Sequence, residues 1–80
     1  MNPRRSEQRK TPQKPRILVI GCGSIGKRHI ANLISLRAEE IRACDGVRER
    51  AQETGTRFGI GTGTSLAAAW KWKPDVVLIA

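Results

Sequence analysis

No stretch of this 80-residue sequence is apolar for long enough to cross a bilayer. Its apolar runs do not exceed five residues, the length of Val76–Ala80, against the roughly 18 a spanning helix needs. No apolar segment follows the basic start within reach of a cleavage site, which excludes a secretory signal. Pro3, Pro12 and Pro15 interrupt any amphipathic helix there, which argues against an organelle transit peptide. Cysteine is scarce: Cys22 and Cys44 make neither a metal-ligand pair nor a disulfide framework, and a reducing, cytoplasmic setting is the default. The first sixteen residues lack apolar side chains except Met1, and they hold six cations against the single anion Glu7. Such a segment buries too little surface to offset its ordering entropy and reads as a disordered basic tail, residues 1–16.

What remains, residues 17–80, is dense in apolar residues and carries only +3 of the formal +8. The excess charge therefore lies mostly on the tail. Six cations without aromatics read as a solvated segment and make a poor case for nucleic acid. Sixty-four residues form a modest core at best.

Ile17-Leu18-Val19-Ile20 is an unbroken apolar strand of the kind buried on both faces of a parallel sheet. Residues 25–37 carry Ile25, Ile30, Leu33 and Ile34 at helical spacing. Ile41–Asp45 reads as a second strand. Val47–Phe58 reads as a surface helix closed by Gly59 in the left-handed conformation, with Gly55 as a weak spot inside it. Residues 60–64 predict a short, poorly specified strand. Ser65 caps a helix over Leu66–Trp70 that Pro74 stops, and Val76–Ala80 is a fourth strand. This alternation predicts an α/β fold: a Rossmann-type parallel sheet of about four strands with three right-handed crossover helices. In strand order 3-2-1-4 the last run lies at an uncovered apolar edge, so the domain reads as incomplete, truncated at its fourth strand.

Gly21-Cys22-Gly23-Ser24-Ile25-Gly26 is a G-x-G-x-x-G. The pattern alone is weak, but here it follows an apolar strand, opens a helix, and precedes an acid, Asp45, nineteen residues past Gly26. Together these form a dinucleotide-binding fingerprint. Gly21 permits the turn off the strand, Gly23 lets a pyrophosphate approach the backbone, and Gly26 lets the helix pack against the sheet. The helix amino terminus, with the backbone of Ser24 and Ile25, offers unpaired N–H groups and a positive dipole end to phosphate. The Ser24 hydroxyl reads equally as a phosphate donor or a helix-start residue. Asp45 is placed to accept from the adenosine ribose hydroxyls, and its charge favours NAD over NADP. Arg48 and Arg50 could accommodate a 2′-phosphate, but read more simply as a solvated helix face. His29 reads as a packing residue beside the core and Cys22 as an inert small residue in the turn. In the interleaved Trp70-Lys71-Trp72-Lys73, Trp70 reads as cover for the sheet and the lysines as solvated, rather than the segment as a stacking platform for nucleic acid.

Residues 17–33, from Ile17-Leu18-Val19-Ile20 through the glycine motif to Lys27-Arg28-His29-Ile30-Ala31-Asn32-Leu33, resemble the start of the glucose–fructose oxidoreductase / inositol dehydrogenase / rhizopine-catabolism (Gfo/Idh/MocA) family. Lys73-Pro74-Asp75 followed by Val76–Ala80 is similar to that family's fourth strand. The resemblance spans residues 17–80. It implies an NAD- or NADP-dependent oxidoreductase acting on a sugar, inositol or related polyol. Gly21, Gly23, Ser24, Ile25, Gly26 and Asp45 match the family's nucleotide-binding positions. It further implies that the catalytic Lys and His lie beyond this chain, that a further domain holds the small-molecule substrate, and that the full-length protein is compatible with a homo-oligomer. The competing expectation is a non-catalytic nucleotide-sensing or basic interaction module.

Overall fold

The computed structural model describes residues 14–80. The reading of the basic tail as disordered falls, for residues 1–13, outside the described residues. Four strands alternate with three helices: β1 (Arg16–Ile20), α1 (Ser24–Ser35), β2 (Glu40–Cys44), α2 (Arg48–Phe58), β3 (Gly61–Gly63), α3 (Leu66–Lys71) and β4 (Val76–Ile79). The strands form one parallel sheet, as the alternation predicts, in the order β3-β2-β1-β4 common to doubly wound sheets.

β1 begins one residue earlier than its apolar run. Arg16 N–H donates to Asp75 Oδ2 at 2.8 Å and Asp75 N–H returns a bond to Arg16 O at 2.7 Å, so the backbone of a charged residue is held in the sheet. Its guanidinium donates to Trp72 O and lies 5.9 Å from the Trp72 ring centre. Arg42, on the neighbouring strand, sits 4.8 Å from the same ring. Trp72 is thus the half-buried tryptophan, whereas Trp70, the expected cover for the sheet, is 49% exposed. The physical reason is local: the residues α3 turns toward the sheet are Ala68 and Ala69, not Trp70.

Register places Val19, Ala43 and Leu78 side by side on one face, where they pack with Cys22 and Ile30 and are flanked by Leu33, Phe58 and Ile60. Helices α1 and α2 cover this face, as right-handed crossovers from β1 to β2 and β2 to β3 require. On the other face, β3 presents only Gly61 and Gly63 beneath α3. A hollow of about 240 Å³ remains there, with Leu18 and Cys44 in its floor and Ala68 and Ala69 in its roof.

Gly55, a weak spot by helix propensity, has a tertiary reason. A Cβ there would lie 2.8 Å from Thr62 Oγ1 and 3.3 Å from Ile60 O, so its absence lets α2 lie against β3. Gly59 ends α2 with φ +66°, the left-handed cap expected of it. Ser65 Oγ accepts from Ala68 N–H and caps α3.

Candidate functional site

The site lies where the chain reverses direction across the sheet. β1 leads to β2 and β3 on one side and pairs with β4 on the other, and this switch point opens a crevice at the carboxyl ends of the strands. Gly21 leaves β1 with φ +107°, a conformation costly for any residue with a Cβ. Its N–H still donates to Cys44 O at 2.8 Å, so the turn is anchored to β2 before it swings away.

Gly26 is required for space. A Cβ on it would lie 1.7 Å from Gly21 O, a backbone atom that has nowhere to go. The close approach brings the first turn of α1 against the turn it springs from. Gly23 is the opposite case: a Cβ there meets nothing within 4 Å, so the backbone faces open space. Lys27 N–H closes the first helical turn on Gly23 O, and the helix geometry leaves the amides ahead of it without intrahelical acceptors. No acidic residue occupies that turn, leaving its positive dipole end available to an anion.

Asp45 follows β2 and is only 9% exposed. Its Oδ1 accepts from Val47 N–H at 2.7 Å and its Oδ2 from Cys22 N–H at 2.8 Å. These two backbone bonds, Val47 first, hold the carboxyl below the usual carboxylate range against the opposing effect of burial, with Arg50 assisting. Burial pushes the thiols of Cys22 and Cys44 up. Cys22 is fully buried in the core and is the inert small residue expected at that turn.

All six residues singled out from the sequence line one open cavity of about 240 Å³: Gly21, Gly23, Ser24, Ile25, Gly26 and Asp45. Ile25 projects its side chain into solvent there. Two further residues complete the wall, Arg50 and Ala80. Arg48 and Arg50 are both exposed, as a solvated helix face requires, and Arg50 also borders this open cavity. Arg50 lies in the first turn of α2, and the available signal was its place five residues past Asp45. Ala80 N–H donates to Ile20 O at 2.9 Å, extending the β1–β4 pairing to the rim of the cavity. His29 is half-buried and lines no part of it.

No protein-family model and no curated protein matches the chain. Solved structures do. An oxidoreductase from Agrobacterium radiobacter in complex with NAD+, L-tartaric acid and magnesium is similar at 25% identity over 85% of this chain, with a TM-score of 0.74. The WlbA dehydrogenase from Chromobacterium violaceum, in complex with NADH and UDP-GlcNAcA, is similar at 28% identity over 89%, with a TM-score of 0.73. GenD2 from gentamicin A biosynthesis, in complex with NAD, shares the fold over 100% of the chain at 24% identity, with a TM-score of 0.76. The chain spans 21% of the length of each of the first two and 23% of the third. All three hold NAD or NADH, the first being an oxidoreductase and the second a dehydrogenase, and what the chain shares with each is about a fifth of the molecule, folded as a Rossmann-type sheet.

Proposed function

We propose that these residues are the NAD-binding portion of a Gfo/Idh/MocA-type oxidoreductase, which transfers hydride between a nicotinamide and a sugar, inositol or related polyol. The observation that carries the reading is the meeting of the glycine loop, the free amino end of α1 and the Asp45 carboxylate in one cavity at the switch point of the sheet. The residues fit a dinucleotide. Gly23 leaves open backbone where a pyrophosphate would lie, the first-turn amides supply donors, and Ser24 stands exposed beside them. Asp45, held ionised, retains lone pairs for ribose hydroxyls and repels a 2′-phosphate, which favours NAD over NADP.

When bound, the nicotinamide supplies the hydride-accepting carbon. This chain binds and orients the cofactor at the ends of β1 and β4. The proton from the substrate hydroxyl needs a base, and the family's Lys and His have no counterpart here. By itself the chain should turn nothing over. Its coverage of about a fifth of the solved oxidoreductases supports a longer enzyme, whose further domain holds the substrate. The two free, buried cysteines suit a reducing, cytoplasmic setting. Among the described residues no helix is long and apolar enough to cross a membrane.

The test is calorimetric titration of the 80-residue chain with NAD and NADP, beside a Gly23→Val variant. Gly23 has φ −76° and open space around it, so valine leaves the fold intact while its side chain stands where the pyrophosphate would approach. NAD should bind more tightly than NADP, and the variant should lose at least about tenfold in NAD affinity. A folded variant that binds NAD as the parent does would sink the phosphate assignment.

A further inference from the structure

We infer that Asp45 is a positioning residue whose carboxylate ties the glycine loop to the β2–α2 turn and sets the loop's geometry before any ligand arrives. This goes beyond a ribose contact, although its consequence for binding rests on the dinucleotide reading above. Cys22 lies between the first two glycines, in a segment that belongs to neither β1 nor α1, so no strand or helix supplies an acceptor for its N–H. Asp45 Oδ2 is that acceptor. Oδ1 of the same side chain takes the N–H of Val47, the residue that caps α2 and whose own side chain makes no cap hydrogen bond. A single carboxylate therefore joins two backbone segments that lie 25 residues apart in the sequence.

The loop has few other restraints. Gly21 and Gly23 bring no side chains, and its remaining backbone ties are Gly21 N–H to Cys44 O at one end and Lys27 N–H to Gly23 O at the other. Leaving a buried N–H without its acceptor costs about 1–3 kcal/mol. Each carboxylate oxygen carries two lone pairs, so the tie and a ribose contact are compatible. The two halves of the cavity are then coupled. A change at Asp45 would then be felt by a pyrophosphate held at the glycine loop, through Cys22 N–H.

The groups facing the carboxylate are the Arg50 guanidinium from α2, the Cys22 thiol in the loop and the Cys44 thiol at the end of β2. Both thiols are raised by burial and stay neutral at acid pH. The carboxylate's folded value lies below the unfolded one. The tie is therefore complete above the ordinary carboxylate range near about 3.9 and is lost as pH falls through the lower folded value.

Two measurements test this. In NMR spectra of the ligand-free 80-residue chain, the amide protons of Cys22 and Val47 should move together in one titration with a midpoint below that of an ordinary aspartate. If either amide is indifferent to this carboxylate's titration, the proposal is overturned, and no substitution is needed to learn it. The second uses Asp45→Asn, which keeps the shape but provides one oxygen in place of two. A ribose contact alone predicts weaker NAD binding with NADP unchanged or tighter, because a repulsive charge has gone. The tie predicts that both cofactors weaken several-fold. Unchanged or tighter NADP binding by the variant overturns the coupling. If the wild-type amides titrate together but the chain takes up no NAD, the tie stands and the dinucleotide reading fails instead.

Discussion

The two βα units from β1 to α2 and the remainder from β3 to β4 are built to different standards. Every buried side chain of the described residues, from Ile17 to Thr54, belongs to the first part. After Thr54 no residue is buried, although large apolar side chains stand exposed in both parts. The first part has two helices laid across β1 and β2, whereas the second has a three-residue strand with two glycines and a six-residue helix rich in alanine. The candidate site draws on this difference. Its loop, helix terminus and carboxylate come from the well-packed part, where position is over-determined, and the thin part contributes only Ala80. A binding loop made of glycines has little stiffness of its own and must borrow it from what lies beneath.

The largest effect should come from crowding the loop's support. Gly26→Ala places a methyl group 1.7 Å from Gly21 O, in a contact only backbone movement can relieve. We expect a loss of about 3 kcal/mol or more, enough to unfold a domain of this size, read from urea unfolding followed by circular dichroism. A stable Gly26→Ala protein would break the comparison, because it would mean that the first part is no more tightly packed than the second.

An intermediate effect, of opposite sign, is expected at Thr54. Its Oγ1 is buried with no well-formed hydrogen bond among the described residues, and the neighbouring Cys22 thiol is a weak donor. Thr54→Val keeps the shape and removes the unpaired hydroxyl. It should raise the urea midpoint by the equivalent of about 1 kcal/mol. A destabilised variant would show that the thiol–hydroxyl contact contributes more than its geometry suggests.

The smallest effect belongs to the open edge. Ile79 is 80% exposed on β4, one of the two outer strands of the described sheet. Ile79→Ser should change stability by no more than about 0.5 kcal/mol. The same substitution should reduce concentration-dependent association in analytical ultracentrifugation, since it removes apolar surface from an unpaired strand edge. A loss comparable with that at Gly26 would mean that β4 is covered in solution.

Much of this was legible in the chain itself. Strand and helix periods, the order of elements and the caps at Gly59 and Ser65 are local properties; from them the parallel sheet follows, with right-handed crossovers setting the helix faces, while the strand order is the one common to doubly wound sheets. The glycine motif announced its geometry because a left-handed turn and a tight helix contact are demands on single residues. Other features could not be read that way. Gly55 looked like a flaw until β3 was laid against α2. That the exposed Arg50 also borders the cavity depends on where α2 lies, and Trp72 rather than Trp70 is the half-buried tryptophan because Arg16 and Arg42 meet over its ring from neighbouring strands.

Sequence alone thus determined which residues turn, which pair in strands and which could face a phosphate, because these depend on a Cβ, a period or a charge within a few positions. Only the tertiary structure decided what holds the loop still. Asp45 was visible as an acid at the end of a strand, but its grip on Cys22 and Val47 exists because parallel pairing of β1 with β2 brings the two strand ends together. That contact spans 23 residues, and no local pattern encodes it.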